Sequence, residues 1–316
     1  MAAFAAFTNR ARQSRQARNR AATPAPRTLI SSVALNRARG KITYRVVLTL
    51  VIVVFTLVFI GPMYFLFTDA VKSTQEVIAT PPTLYPHSVN LGNFGQAWSR
   101  LDVGKMLWNS VYYAAGALAF QLVFDVTAAY SLSKLRPVLG NVVLFLMLAT
   151  LMIPATVLVV PQYVTIVNMP FVHWNLVGSP EAIWLPSVAN AFNIFLLKRF
   201  FDSIPTDYID AAAVDGASRL MILWRIVLPM SRPIIGVVSI FATVAVWKDF
   251  LWPLLVEYGY TPTREGLNVG IWQATYGTPE NLIIAASAMA AVPTIVFFLI
   301  FQRNIMAGLT AGGIRG

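Results

Sequence analysis

The densest group of chemically versatile side chains in this sequence lies at residues 207–229, between two long apolar runs. Asp207, Asp210 and Asp215 fall within nine residues of one another. A lipid-facing segment has no use for such carboxylates, since charge at membrane depth is costly. The segment therefore predicts a surface that docks on another protein.

Capping and helix-breaking residues predict two short helices in this segment. An Ala-rich helix from Asp207 to about Asp215 is expected to end at Gly216. Ser218 offers an N-cap for a second helix, which Pro229 is expected to close. Gly216 is expected in a left-handed conformation, which other residues adopt at a cost of roughly 1 kcal/mol or more.

The first helix has two sides suited to a partner. Residues at three- and four-residue spacing share one side, where small alanines let a partner approach closely. That side is formed by Tyr208, Ala211, Ala212 and Asp215. Asp207 and Asp210 lie on the adjoining side, where they can meet basic residues.

Covalent, metal and nucleotide chemistry are not supported by the sequence. There is no Cys, and the two histidines, His87 and His173, both lie in predicted loops. Gly40-Lys41 and Gly104-Lys105 are followed by Ile and Met, so neither completes a P-loop for ATP. We predict no catalytic residue, no metal site and no cofactor bound by this chain.

Several polar side chains fall inside the apolar runs. Asp125, Lys248 and Asp249 would be charged at membrane depth, where such residues usually face a bundle interior or water. One interpretation is a polar translocation path; the other is an interhelical ion pair that fixes the bundle. Asn190, Asn193 and Trp247 suit a sugar, whose hydroxyls bond to amides and whose ring stacks on aromatics, but Asn also joins membrane helices.

Composition and segment lengths predict a membrane protein. Apolar residues make up 57% of the chain and charged residues 12%. Six apolar segments approach or exceed the roughly 20 residues that span a bilayer. They are roughly 44–68, 107–132, 138–160, 183–197, 234–256 and 283–301. The fold class predicted is all-α: a polytopic membrane bundle of six transmembrane helices with a cytoplasmic helix–turn–helix.

The basic residues predict an orientation, because they concentrate on the cytoplasmic side of membrane proteins. Nineteen of them would lie on the side that carries both termini and the 198–232 loop. The opposite loops hold only four: Lys72, Arg100, Lys105 and Arg264. We therefore predict that both termini and this loop are cytoplasmic.

Three segments follow from this layout. Residues 1–43 are a basic cytoplasmic tail without acidic residues, expected to be disordered and attracted to anionic lipid. No signal-peptide core precedes the first span. The tail lacks interleaved aromatics, so nucleic-acid binding is not predicted. Residues 44–302 form the membrane domain, with the docking loop at about 203–232, and residues 303–316 form a Gly-rich cytoplasmic tail.

The docking loop resembles the coupling loop of ABC importer permeases. That family's signature is Glu-Ala-Ala, three residues, Gly, nine residues and Ile-x-Leu-Pro. Here Asp210-Ala211-Ala212 is followed at that spacing by Gly216 and by Ile226-Val227-Leu228-Pro229. Asp for Glu at position 210 keeps the charge and shortens the reach.

The C-terminus carries the resemblance further. Phe301-Gln302-Arg303 and the segment from Gly308 to Gly316 are similar to the tail of permeases related to the maltose importer's G subunit. The usual ending there is Gly-Leu-Thr-Ala-Gly-Ala-Val-Lys-Gly, from which Gly313, Ile314 and Arg315 depart mildly. The resemblance covers about residues 44–316.

This resemblance implies one membrane subunit of a carbohydrate-type ABC importer in a prokaryotic inner membrane. Its partners would be a second homologous permease, two ATPase subunits that bind ATP and Mg, and an extracytoplasmic sugar-binding protein. The chain itself would be no enzyme. Two alternatives remain open: an ion-coupled secondary transporter, using Asp125, Lys248 and Asp249 as a relay, and a membrane scaffold that recruits an ATPase.

The resemblance also implies roles for particular residues. The ATPase-coupling set is Asp207, Asp210, Ala211, Ala212, Asp215, Gly216, Ile226, Leu228 and Pro229. The tail expected to reach the ATPase interface along an extended path is Gly308, Leu309, Thr310, Ala311 and Gly312. In the outer loop 257–282, Trp272 and Tyr276 are expected to share a helical face toward the binding protein. The expected substrate path is Asn190, Asn193, Trp247, Lys248 and Asp249.

Overall fold

A computed structural model describes residues 38–257 and 265–313, with side chains for 41–257 and 265–302. Every regular element in these ranges is helical. The α-helices are α1 (Ala38–Asp69), α2 (Thr74–Val77), α3 (Gly92–Arg100), α4 (Val103–Tyr130), α5 (Gly140–Thr150), α6 (Ala155–Val167), α7 (Glu181–Trp184), α8 (Ala191–Asp202), α9 (Thr206–Val214), α10 (Arg219–Ile222), α11 (Leu228–Met230), α12 (Arg232–Lys248), α13 (Leu251–Glu257), α14 (Leu267–Ala274) and α15 (Glu280–Gly313). One-turn π-helices follow α4 at Ser131–Leu135 and α10 at Leu223–Val227.

The chain divides into two compact units, Met1–Tyr64 and Phe65–Gly316. In the first, residues 38–64 are the greater part of α1, whose apolar side chains are exposed on all sides. Residues 1–37 of the predicted tail, 1–43, lie outside the described residues. Residues 38–43 are already helical, so the first helix begins before the predicted boundary.

Three described helices are long and apolar enough to cross a membrane, within Lys41–Asp69, Val103–Leu135 and Glu280–Gln302. Two bent pairs raise the number to five if each pair is one span. They are α5 with α6, bent by 107°, and Arg219–Met230 with α12, bent by 84°. The prediction of six spans is not confirmed.

The predicted fourth span, 183–197, is not one helix. Residues 185–190 separate α7 from α8, and Asn190 has an extended backbone. Asn190 caps α8 by accepting a hydrogen bond from the N–H of Asn193. A polar helix start therefore lies where the sequence predicted the middle of a short span, because Asn is a strong N-cap.

The second unit packs around three apolar clusters. One joins α4, α8 and α12 to the α10–α11 segment, one joins residues 65–101 to α14 and α15, and one surrounds α7 and α13. Small residues let helices approach closely. On α15 these are Ala285, Ala286 and Ala288, all fully buried.

A polar network holds the segment after α1 against the start of α15. The buried Lys72 ammonium lies 2.6 Å from the Asp69 carboxylate and also donates to the Thr83 carbonyl. Asn93 donates to the Ala70 and Lys72 carbonyls and accepts from the Asn281 amide. This arrangement satisfies a charge that would be costly to bury alone.

Candidate functional site

The predicted helix–turn–helix is present, with helix α9 at Thr206–Val214 and a turn at Gly216. Gly216 has a φ of +81°, the left-handed conformation predicted for it. The Ser218 hydroxyl accepts a hydrogen bond from the Met221 N–H at 3.3 Å, so Ser218 is the N-cap of α10. Local capping chemistry thus shapes the hairpin.

Most of the residues predicted to dock lie on the exposed side of α9. Asp207, Asp210, Ala211 and Asp215 are exposed. Ala212 is an exception, because it is half-buried and packs with Ile209 against the core of the same chain. Tyr208 is also exposed. Three of the four residues predicted to form the close-contact side are therefore accessible.

Val214 is a surface residue that the sequence reasoning missed. Its side chain is 89% exposed at the last position of α9. It follows Asp210 by four residues and Ala211 by three, so it shares their side of the helix. An exposed apolar side chain between carboxylates gives this side both contact chemistries of a protein interface.

Pro229 does not close the second helix. The helical chain continues through the π-helix Leu223–Val227 and α11, and the bend comes after Met230. In the wide turn, the Leu228 N–H donates to the Leu223 carbonyl five residues earlier. Pro229 has no N–H and its ring crowds a preceding carbonyl, so a π-turn ahead of it accommodates the ring.

The second half of the hairpin has one side packed into the core, while Leu220, Trp224 and Pro229 are exposed. Ile222, Leu223 and Val227 are buried in the core, while Ile226 and Leu228 are half-buried against it. These last two were predicted for coupling, and the structure shows them in contact with the core of their own chain.

The end of α4 and the π-helix after it hold the hairpin at two places, before α9 and at the start of α10. The Tyr130 hydroxyl donates to the Arg219 carbonyl at 3.0 Å. The Lys134 ammonium donates to the Ile204 carbonyl at 2.8 Å. The Ser133 hydroxyl donates to the Asp202 carboxylate at 2.7 Å. Sequence reasoning missed these contacts and used Lys134 only to predict orientation.

A cavity of about 430 Å³, lined by apolar side chains with a few polar ones, lies where three interrupted helical segments meet. Its walls include the start of α6, just after the α5–α6 bend. They also include the non-helical segments before α8 and after α12. The lining residues are Ala155, Thr156, Val159, Gln162, Ile183, Pro186, Ser187, Asn190, Val246, Asp249, Leu251, Trp252 and Pro253. Non-helical backbone at membrane depth is tolerated where it lines a cavity or is buried in protein.

The predicted substrate path is only partly brought together. Asn190 and Asp249 line this cavity. Trp247 and Lys248 line another, of about 550 Å³, together with Trp272. Asn193 is 2% exposed and lines neither. Helix α12 ends at Lys248 and Asp249 is extended, so the adjacent charges face different spaces.

Comparisons with known proteins give the family. The family of binding-protein-dependent transport system inner membrane components matches residues 121–306, more than half of the chain and all of the hairpin.

The chain belongs to this family.

Two curated relatives support the assignment over most of the chain. A sulfoquinovosyl glycerol transport system permease of Agrobacterium fabrum is 32% identical over 80% of this chain and 88% of its own length. An arabinooligosaccharides transport system permease of Bacillus subtilis is 25% identical over 86% of this chain and 96% of its own.

A solved structure supports the fold. It is a bacterial ABC transporter involved in the import of the acidic polysaccharide alginate. Its matching chain has a TM-score of 0.73 and 21% identity, over 84% of this chain and 98% of that one.

The family assignment confirms a membrane permease component of an ABC importer, which is not an enzyme. It decides against the secondary transporter and the scaffold. The relatives serve several solutes, so a specific likeness to the maltose importer's G subunit stays a prediction.

The residues predicted to contact the binding protein lie at the end of α14. The Trp272 and Tyr276 rings are 6.0 Å apart and nearly perpendicular, at 87°. Tyr276 is 78% exposed, whereas Trp272 is half-buried and contacts the Phe250 ring. Helix α14 ends at Ala274 and Tyr276 lies in the turn that follows, where its ring still contacts that of Trp272. Residues 258–264 of this outer loop lie outside the described ones.

The C-terminal segment of the permease is helical where it is described. Helix α15 continues to Gly313, so Gly308–Gly312 do not follow the predicted extended path. Ala, Leu and Met in this segment are good helix formers, which offsets its glycines. Residues 314–316 lie outside the described part.

Proposed function

We propose that this permease carries a sugar or sugar-like solute across the membrane along the cavity at the three helix breaks. Discontinuous helices form the substrate sites of many transporters, since their unwound segments expose polar backbone to a ligand. The convergence of three breaks on one cavity is the observation that carries the proposal.

The chemistry of the walls suits a carbohydrate. The cavity falls within the range of about 300–1,000 Å³ in which small ligands bind. Gln162 and Asn190 supply amides, and Asp249 supplies a carboxylate. These groups can bond to hydroxyls, while the apolar lining covers the less polar faces of a sugar ring. Named relatives that transport sulfoquinovosyl glycerol and arabinooligosaccharides agree with this class of solute.

The hairpin is the part of the proposal that concerns energy coupling. The exposed side of α9 would dock on one of two ATPase subunits, which bind ATP and Mg. A second homologous permease would complete the pathway, and an extracytoplasmic binding protein would deliver the solute. The anchors from Tyr130 and Lys134 would pass the movement of the docked hairpin into α4.

The test is solute uptake by the reconstituted complex. Solutes retained by the binding protein would identify the cargo, and Asn190→Ala with Asp249→Ala would then be measured for ATP-driven uptake. We expect strong loss of uptake with both subunit assembly and ATP hydrolysis retained. A matched control is Thr127→Val, whose hydroxyl bonds only to carbonyls of its own helix among the described contacts. Uptake at the wild-type rate in the double variant would contradict the role of the cavity.

A further inference from the structure

Asp125 is a carboxylate buried inside the second unit. It lies within the candidate span Val103–Leu135 and is 0% exposed. No ion pair involves it among residues 41–257 and 265–302, so the predicted salt bridge between helices is absent there. A carboxylate that stays charged at this depth costs at least about 2.5 kcal/mol.

The carboxylate accepts a hydrogen bond from the non-helical segment before α8, which lines the cavity. Oδ1 of Asp125 accepts a hydrogen bond from the backbone N–H of Asn190 at 3.0 Å. The Asn190 side chain in turn accepts from the N–H of Asn193, which starts α8. Asn190 therefore joins three features: the cavity wall, the start of α8 and Asp125.

The second carboxylate oxygen is used differently. Oδ2 of Asp125 is buried and has no hydrogen-bond donor in the described part of the structure. The side-chain amides of Gln121 and Asn193 also interact with the carboxylate. The contact to the Asn190 N–H needs one acceptor oxygen, which a neutral amide at position 125 also supplies. An unwound segment that lacks helical hydrogen bonds must find acceptors for its N–H groups elsewhere. Asp125 supplies one of them.

We propose that Asp125 is a positioning residue for transport, which holds the unwound segment before α8 so that Asn190 faces the solute. The role rests on the proposed function, since it assumes that the solute passes this cavity. It requires an acceptor oxygen at Asp125 and does not require a negative charge.

The measurement is the number of solute molecules imported per ATP hydrolysed, with saturating loaded binding protein. Asp125→Ala should lower this ratio by roughly tenfold, because small misplacements at a working site have large effects. Asp125→Asn keeps an acceptor and should stay within about twofold of wild type. Thr127→Val, on the same helix, is the control and should not change the ratio.

A folding defect would reduce ATP hydrolysis and uptake together and leave the ratio unchanged. Asp125 and Asn190 should also act as one unit. Asn190→Ala should lower the ratio, and adding Asp125→Ala should lower it no further, since coupled residues are not additive.

The outcomes separate the two proposals. A wild-type ratio in Asn190→Ala would contradict the cavity itself. The positioning role would be overturned if Asn190→Ala lowers the ratio and adding Asp125→Ala lowers it further by the full effect of the single variant. Loss of uptake in Asp125→Asn would also overturn it, because the charge would then be needed. If Asp125→Ala fails to assemble, Asp125→Ser takes its place, because the shorter hydroxyl does not reach the Asn190 N–H, and a wild-type ratio in it would overturn the positioning role.

Discussion

Gly216 turns the chain between the two helices of the hairpin. A Cβ at this position would meet nothing within 4 Å, so space is not what requires glycine. Its φ of +81° is the requirement, and a β-branched residue is strained there by roughly 1–2 kcal/mol. We expect Gly216→Val to leave the permease in the membrane but to abolish uptake, as measured in cells at equal expression.

The matched control is Gly216→Asn, because Asn tolerates the left-handed conformation. It should retain most of the uptake. Equal loss in both variants would assign the defect to side-chain bulk against the ATPase, and full uptake in the Val variant would show that the turn does not transmit force.

For single residues, the sequence predicted the structure wherever it depends on neighbours in the chain. Gly216 and Ser218 could be predicted because a turn and an N-cap depend on a few adjacent residues. Ala212 could not be placed, since its burial depends on the distant core residues that α9 packs against. Val214 was missed for a related reason: nothing nearby in the sequence marks an apolar residue as exposed.

Helix α9 carries exposed carboxylates on one side, including Asp207 and Asp210. Asp210 is exposed in the middle of this side, so its reversal should repel a basic partner without disturbing the core. We expect Asp210→Arg to weaken ATPase binding by about 2 kcal/mol or more, and to abolish uptake. Co-purification of the ATPase with the permease measures the first effect.

Glu181→Arg gives the comparison for this charge reversal. Glu181 is also exposed and lies in the first turn of α7. It is on the side of the membrane predicted to face away from the ATPase. Normal ATPase binding in Asp210→Arg, or equal loss in Glu181→Arg, would remove α9 from the coupling interface.

Close packing of α4 against α7 depends on Gly116. A Cβ there would lie 2.2 Å from the ring of Trp184, which contacts the rings of Tyr112 and Phe120. Gly116→Ala should therefore destabilise the fold by about 1–3 kcal/mol through overpacking. A lower thermal midpoint of the purified protein in detergent would report this loss.

Gly236→Ala is the control for this substitution. Gly236 lies in α12, where an added Cβ meets nothing within 4 Å. Alanine is the better helix former, so this variant should be unchanged or more stable by about 0.5–1 kcal/mol. An unchanged midpoint in Gly116→Ala would mean that α7 moves away at little cost.

Helix existence was predictable from apolar length, but helix breaks were not. Pro154, which lies just before α6 at the α5–α6 bend, and Asn190 were visible in the sequence, but prolines are tolerated inside many spans. Whether such a residue breaks a span depends on what replaces its backbone hydrogen bonds. For Asn190 that group is Asp125, 65 residues earlier in the chain, so no local pattern could reveal it.

The distribution of basic residues is a property of the whole molecule, and it predicts which side the hairpin faces. The chain has no Cys, so single cysteines report their own surroundings. Ala213 on α9 and Gln96 on α3 are both exposed and suit this use. We expect an impermeant thiol reagent to label Gln96→Cys in intact cells and Ala213→Cys only after the membrane is opened.

Two features let this experiment test the side of the membrane on which the hairpin lies. ATP is available in the cytoplasm, so a hairpin that couples to ATPases must lie on that side. The exposure of both positions means that a failure to label cannot be attributed to burial within the chain. Strong labelling of Ala213→Cys in intact cells would place the hairpin outside, and the positive-inside orientation and the coupling role of α9 would then fail together.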